Sequence, residues 1–263
     1  FRGRAGSLLG ASACGVSRFP LPASPAGVSD LRRNQPLVSH LISTTNFNIA
    51  ILLLVAVLFC ANERSDNVKH ITGILLSGGK SSRFGSPKAF AMFNEKEMFE
   101  YSMAILEDVT DEVVISSSQK LSPTFQARGL NNIIEDEKPF RGKGPLAGIY
   151  SCMKSAPSLW YVVLPCDMPL LSKEMVNSLL QQKSPDVDAI LPKAFDRIQP
   201  LVGVYHYKVL PILEKKLKED KLKMMEFIDS LQVTFMNEKE LNLQHNIFQN
   251  INRESDLLNL NEL

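Results

Sequence analysis

The sequence lacks the closely spaced cysteines and histidines that mark metal and redox sites. Its cysteines are Cys14, Cys60, Cys152 and Cys166, and its histidines are His40, His70, His206 and His245. The spacings exclude zinc fingers, CxxC redox motifs and paired histidines on one helix turn. A strong charge of either sign is also missing, since 29 basic and 28 acidic residues give a formal net charge of +1. This balance gives no bulk attraction to nucleic acid or anionic lipid, so a cationic site must be local.

The sequence also lacks an apolar run of about 20 residues, the length that a standard membrane-spanning helix needs. Residues 49–61 form a shorter apolar run, and residues 1–48 before it contain Asp30 as their only acid. That composition is typical of a targeting leader or of untranslated sequence read in frame. The first methionine is Met92. We expect residues 1–69 to be a leader, either a gene-model artefact or a targeting segment, with a membrane anchor as the remaining alternative, and residues 70–263 to form one domain.

A glycine-rich turn follows the apolar segment Ile71–Leu76, and it reads SGGKSSRFGSPK up to Lys88. Glycines allow the backbone to approach phosphates closely, and successive N–H groups of such a turn bind anions. Lys80, Arg83 and Lys88 add positive charge. Together these features indicate a site for a nucleoside triphosphate. The spacing disfavours a Walker A loop, because that motif requires glycine where this chain has Ile74.

A single carboxylate follows a second apolar segment, Trp160–Leu164. Asp167 comes three residues after this segment, at the predicted carboxyl end of a buried strand, where open α/β sheets bind their ligands. Its oxygens suit Mg²⁺, which usually takes one or two protein carboxylates together with substrate phosphates. The alternative is that Asp167 caps the next helix, but Ser172 already provides that cap.

Apolar or β-rich segments alternate with amphipathic segments from residue 71 onward. The predicted strands are Ile71–Leu76, Glu112–Ser116, Asn132–Glu135, Trp160–Leu164, Ala189–Pro192, Leu201–Tyr205 and Val233–Met236. The predicted helices are Glu97–Glu107, Pro145–Ala156, Ser172–Gln182, Lys208–Lys218 and Lys223–Asp229. This alternation predicts parallel strands joined by right-handed crossovers, in a three-layer, doubly wound α/β domain.

Three motifs occur one after another along this sequence. They are the loop at residues 76–88, the turn GPLAG at residues 144–148 and the strand end LPCDMP at residues 164–169. This set resembles the molybdenum cofactor guanylyltransferase family, within the MobA-like nucleotidyltransferases. The segments IIED at 133–136 and FQNIN at 248–252 resemble that family's central acidic strand end and C-terminal asparagine motif. The resemblance covers roughly residues 68–263 and implies a Rossmann-like, mostly parallel sheet of the nucleotide-diphospho-sugar transferase type.

The resemblance implies transfer of GMP from GTP to the terminal phosphate of molybdopterin, or of Mo-molybdopterin, with release of pyrophosphate. Both reactants are anions, so catalysis requires alignment and charge neutralisation, with little work for a protein base. The implied location is the cytoplasm. The implied partners are the two substrates, neither nucleic acid nor membrane, and transient contact with cofactor-delivery proteins.

The resemblance also implies residue roles. The residues implied to bind GTP are Leu76, Ser77 and Gly78 through the loop backbone, Lys88 at the triphosphate, Asp136 at guanine or ribose, and Asp167 through Mg²⁺. Arg83, Lys88 and Asp167 are the implied catalytic residues, with Asp167 as the metal ligand. Asn250 and Asn252 are implied to lie near the pterin. One departure is Ser116, which stands where the family often has a nucleotide-contacting asparagine.

Three alternatives stay open. The glycine-rich loop is shared with cytidylyl and sugar-phosphate transferases, which nucleotide selectivity would distinguish. A non-catalytic nucleotide-binding module is disfavoured because Arg83, Lys88 and Asp167 are all present. A membrane-anchored binding protein would depend on residues 49–61, and removal of residues 1–69 would test it.

Overall fold

The computed structural model describes residues 71–78, 87–244, 246–251 and 256. Two of the predicted site residues, Arg83 and Asn252, lie outside the described residues, as does the predicted leader of residues 1–69. Within the described part of the chain, no helix has the length and apolarity that a membrane crossing requires. The apolar run at residues 49–61 lies outside the described residues.

The described residues contain ten strands and six α-helices. The strands are β1 (Ile71–Leu76), β2 (Met92–Phe93), β3 (Lys96–Glu97), β4 (Glu112–Ser117), β5 (Ile133–Glu135), β6 (Trp160–Pro165), β7 (Ala189–Ala194), β8 (Arg197–Ile198), β9 (Gly203–His206) and β10 (Val233–Met236). The helices are α1 (Met98–Val109), α2 (Ser122–Gln126), α3 (Pro145–Ser155), α4 (Lys173–Leu180), α5 (Leu210–Lys218) and α6 (Met224–Ile228). Short 3₁₀ turns add Lys88–Phe90, Lys138–Phe140 and Tyr207–Val209.

Eight strands form the central sheet, in the order β10-β7-β9-β6-β1-β4-β5, with β8 paired to β7. Strand β1 pairs in parallel with both β4 and β6, and β10 pairs in parallel with β7. The mostly parallel, doubly wound architecture is confirmed. Strand β9 differs from the parallel expectation, because it runs antiparallel to β6 and β7. The chain reaches β9 from β7 through the short β8 hairpin, and a connection without a helical crossover reverses direction.

Helices cover both faces of the sheet, which makes three layers. On one face, α1 and α4 pack Leu106, Met175 and Leu179 against sheet residues such as Leu75. On the other, α3, α5 and α6 pack against the alternate sheet residues, for example Ile74. Alternate residues of β1 therefore enter opposite layers, as expected for a strand that is buried on both sides.

The strand order creates a switch point beside β1. From β1 the chain moves outward to β4 and β5, and then returns to place β6 on the other side of β1. At this carboxyl edge Leu76 is paired with Pro165. Ligands of open α/β sheets bind in the crevice outside the carboxyl ends of such diverging strands. The glycine-rich turn after β1 and Asp167 after β6 start from this crevice.

Candidate active site

The turn after β1 begins with its side chains directed inward. The Ser77 amide and hydroxyl both donate to the Ser116 carbonyl of β4, at 3.0 and 2.7 Å. Leu76 and Ser77 are buried, whereas Gly78 is exposed, and a Cβ built on Gly78 would have nothing within 4 Å. Because the Ser77 amide and hydroxyl are both bonded to β4, a backbone contact with a ligand in the described part of this turn would fall to the exposed Gly78.

Lys88 and Asp167 meet at the switch point although 79 residues separate them in sequence. The Lys88 Nζ atom lies 2.6 Å from Asp167 Oδ2, and the two side chains retain 14% and 25% of their exposure. Lys88 opens the 3₁₀ turn whose next residues pack inward: Ala89 is buried, and the Phe90 ring contacts Phe99 and Phe125. This packing holds the backbone of Lys88 in place. An ion pair largely removed from water is screened less than a surface pair, so it favours one side-chain arrangement.

A residue near the C-terminus, Ile251, is hydrogen-bonded to the turn that contains Asp167. The Ile251 amide donates to the Asp167 backbone carbonyl at 3.0 Å. The Ile251 side chain is fully buried against Ala91, Phe93 and Met98. Asn250, one residue earlier, is exposed. The structure therefore brings Ile251, the apolar residue that follows Asn250, beside the turn that contains Asp167.

Asp136 follows β5 at the same edge and has a local role that sequence reasoning missed. Its Oδ2 atom accepts the Gly142 amide at 2.9 Å. Gly142 and Gly144 have φ values of +75° and +78°, a region that glycine occupies without strain. Partial burial raises the pKa of the Asp136 carboxyl, opposed by the Gly142 hydrogen bond and by Arg141. Asp136 therefore shapes the turn that leads into α3.

Ser116 does not direct its hydroxyl toward the crevice. It is buried, and a Cβ on Gly148 of α3 would lie 2.3 Å from Ser116 Oγ. The thiol of Cys152, also on α3, is hydrogen-bonded to Ser116, and burial raises the pKa of that thiol to about 12. Ser116 therefore packs against α3, and its carbonyl holds Ser77. The glycine of the GPLAG motif at position 148 is explained by this close approach of helix and sheet.

We expect Gly148→Ala to destabilise the protein, because the new methyl group displaces the Ser116 hydroxyl. Overpacking of a core costs about 1–3 kcal/mol, against a helix-propensity gain of about 1 kcal/mol. In the double variant Gly148→Ala/Ser116→Ala the hydroxyl is absent, so we expect a coupling energy of about 1 kcal/mol in a double-mutant cycle from urea unfolding. Additive effects would contradict the contact.

Asp167 is the residue of the Lys88–Asp167 pair whose oxygens could hold a metal ion. Among residues 71–78, 87–244, 246–251 and 256, no group of three or more His, Cys, Asp or Glu side chains could hold a metal ion. Cys166 is buried, and burial raises the pKa of its thiol to about 12, so a thiolate is disfavoured as ligand or nucleophile. A single carboxylate cannot enclose a cation. It matches Mg²⁺ that arrives with phosphate oxygens supplying other ligands.

Comparison with known protein families gives a consistent match. Residues 73–233 match the family model of the MobA-like NTP transferase domain. A protein of Geobacillus sp. strain WCH70, named probable molybdenum cofactor guanylyltransferase, is 38% identical over 71% of this chain and 95% of its own length. A protein of Bacillus licheniformis with the same name is 39% identical over 70% of this chain and 93% of its own length.

Solved structures with the same fold include enzymes of different named activity. The molybdopterin-guanine dinucleotide biosynthesis protein A of Archaeoglobus fulgidus superposes with a TM-score of 0.64 at 24% identity, covering 73% of this chain and 97% of its own. The 4-diphosphocytidyl-2C-methyl-D-erythritol synthase of Anaerococcus prevotii gives a TM-score of 0.56 at 14% identity, covering 74% and 95%. At these identities the likeness shows the fold and does not identify the nucleotide.

Proposed function

We propose a function on the premise that this chain belongs to the MobA-like NTP transferase family. It is a nucleotidyltransferase. The proposed reaction transfers GMP from GTP to the terminal phosphate of molybdopterin, or of Mo-molybdopterin, with release of pyrophosphate. The observation that carries the site assignment is the Lys88–Asp167 pair at the switch point, where Leu76 is paired with Pro165 and where Gly78 and Asp167 each follow two residues later.

The proposed nucleotide lies along the carboxyl edge of the sheet. Its triphosphate is at β1 and β6, where Gly78 offers an exposed backbone and Lys88 a cation. Asp136 lies beyond β5, three strands from β6, a distance of roughly 14 Å at the usual strand spacing. That span suits one nucleotide with its phosphates at Asp167 and its guanosine at Asp136. Arg83, in the same loop as Gly78, is proposed to neutralise the departing pyrophosphate.

Mg²⁺ is the proposed metal, and Asp167 is its proposed protein ligand. When bound, the ion would neutralise phosphate charge and orient the α-phosphorus for attack. Lys88 forms a charge-assisted contact with Asp167. In the proposed complex its ammonium group contacts the triphosphate, where it would stabilise charge that develops on the leaving pyrophosphate.

General-base catalysis has no assigned residue in this mechanism, because the attacking phosphate is already ionised. His206 lies at the opposite edge, where it pairs with Trp160 at the amino end of β6. Burial lowers its pKa to about 4, which makes it neutral near pH 7. The reaction is therefore assigned to alignment and charge neutralisation.

The second substrate is proposed to bind beside the C-terminal segment. Asn250 is exposed next to Ile251, whose amide holds the Asp167 carbonyl. A pterin near Asn250 and Asn252 would extend its terminal phosphate toward the nucleotide. Transient contact with cofactor-delivery proteins and a cytoplasmic location stay predictions.

We expect GTP to be the preferred donor of the full chain. With molybdopterin and Mg²⁺ present, pyrophosphate release should show a kcat/KM for GTP at least about a hundredfold above that for CTP, because polar groups built for one base are left unpaired by another. Equal or better turnover with CTP would overturn the guanylyl assignment and favour the cytidylyl alternative.

The Asp136→Asn variant refines this measurement. An asparagine oxygen can still accept the Gly142 amide, so the turn is retained. A loss of turnover confined to GTP would place the guanine at Asp136. An equal loss for all nucleotides would place the ribose there instead.

A further inference from the structure

Three backbone groups before and within the Asp167 turn are each bonded to a different part of the fold. The Pro165 carbonyl accepts the Ser102 hydroxyl of α1 at 2.7 Å. The Cys166 amide donates to the Leu76 carbonyl of β1 at 3.1 Å, and the Asp167 carbonyl accepts the Ile251 amide at 3.0 Å. The backbone is thus held by hydrogen bonds both before and after the Cα atom of Asp167, which together determine the direction of its side chain. Ser102 provides the one side-chain hydroxyl in this set.

Ser102 differs from Ser151 and Ser178, which also lie in helices. The hydroxyls of Ser151 and Ser178 each donate to the carbonyl four residues earlier in the same helix, which is the usual local bond of a helical serine. Ser102 is fully buried, and its hydroxyl crosses from α1 to the end of β6 instead. A buried polar group requires a hydrogen-bond partner, and the Ser102 hydroxyl finds its partner in the Pro165 carbonyl.

We propose that Ser102 is a positioning residue that aims the Asp167 carboxylate. Proline fixes φ at residue 165, so the tilt of the peptide that joins Pro165 to Cys166 depends on ψ of Pro165 and on the bonds at the two ends of that peptide. Its amide is bonded to the Leu76 carbonyl, and its carbonyl is bonded to the Ser102 hydroxyl. Without Ser102 the peptide keeps the bond to Leu76 but tilts about it, which turns the Asp167 side chain away from the geometry that meets Lys88. This inference rests on the proposed function, since the metal assigned to Asp167 is what the carboxylate is positioned for.

The test uses Ser102→Ala and the near-isosteric Ser102→Cys, whose thiol is a weak donor. We measure Mn²⁺ affinity in the presence of GTP by electron paramagnetic resonance, and separately the Mg²⁺ concentration for half-maximal turnover. Loss of a residue that orients a metal ligand typically weakens metal affinity by about 10–100-fold, so we expect the Mn²⁺ Kd and the half-maximal Mg²⁺ concentration each to rise about tenfold in Ser102→Ala and less in Ser102→Cys. The KM for GTP at saturating Mg²⁺ should change much less.

Two controls separate positioning from simple loss of stability. Ile228→Val removes a buried methylene in α6, on the other face of the sheet, and should lower stability without changing either metal measurement. Ser178→Ala removes a local helical bond of a half-buried serine on α4 and should change neither. If Ser102→Ala and Ser102→Cys lower stability and leave the Mn²⁺ affinity unchanged, Ser102 is merely structural.

Asp167→Asn in the same Mn²⁺ titration tests the proposed metal site separately from the positioning role of Ser102. If Asp167→Asn weakens Mn²⁺ binding and neither Ser102 variant does, the positioning role is wrong and the proposed metal site stands. If Asp167→Asn binds Mn²⁺ with GTP as the unmodified protein does, the metal lies elsewhere and both proposals are overturned. Should Ser102→Ala fail to fold, Ser102→Cys alone decides the outcome.

Discussion

Asp167→Asn is expected to lower Mg²⁺-dependent turnover by about a hundredfold or more, because a metal that stabilises transferring phosphates contributes several kcal/mol to the transition state. Asparagine keeps the shape of the side chain and can accept a hydrogen bond from Lys88, but it lacks the charge that holds the cation. Pyrophosphate release measured at saturating GTP and over a range of Mg²⁺ concentrations gives this effect directly.

The variant should remain folded. Removal of one partner from a fully buried ion pair costs about 3–5 kcal/mol, but Lys88 and Asp167 retain 14% and 25% exposure. We therefore expect a smaller loss of unfolding free energy, about 1–2 kcal/mol.

A matched control for charge removal is Asp108→Asn. Asp108 also pairs with a lysine, Lys173, at 2.9 Å, but both side chains are exposed and lie on α1 and α4. This change should leave turnover unaltered, because an exposed ion pair contributes little to stability. Near-normal Mg²⁺-dependent turnover in Asp167→Asn, with Asp108→Asn behaving as expected, would place the metal at other residues.

Lys88→Ala should weaken GTP binding and lower turnover together. A charge-assisted contact to phosphate is stronger than a neutral one and strengthens further as charge develops on the leaving group. We expect kcat/KM for GTP to fall by about a hundredfold or more, as when one preorganised donor is removed from a transition-state site. Calorimetric titration of GTP and initial rates measure the two effects separately. Lys173→Ala removes an exposed lysine and is the control.

Asn250→Ala and Asn252→Ala should fail differently from Lys88→Ala. The proposed pterin position predicts a higher requirement for molybdopterin, while GTP binding measured by titration stays nearly unchanged. Loss of GTP binding in a folded Asn250→Ala or Asn252→Ala protein would contradict the two-substrate arrangement along the sheet edge.

The alternation of apolar segments was sufficient to predict the layered fold. Strands β1 and β10 have the predicted bounds, Ile71–Leu76 and Val233–Met236. Helix α3 was predicted to within one residue, because apolar side chains recur at helical spacing and Gly144-Pro145 marks its start. Asp167 could be placed at the carboxyl end of a buried strand for the same reason: periodicity and turn residues are local properties of the chain.

Short elements were missed because they carry too little periodicity. Helix α2 has five residues, and β2 and β3 have two each. The hairpin between β2 and β3 turns at Asn94 and Glu95, with φ values of 43° and 68°. Glycine usually marks such a turn, and its absence at position 95 removed the signal.

The partners within the site depended on tertiary structure. The sequence identified Lys88 and Asp167 separately, but their meeting follows from the placement of β6 beside β1. The inward hydroxyl of Ser116, the cross-element bond of Ser102 and the anchor at Ile251 likewise arise where distant segments pack. Local sequence therefore determined which strands are followed by candidate functional residues. Strand order and packing decided which side chains meet there, because such contacts depend on how segments far apart in the chain are brought together.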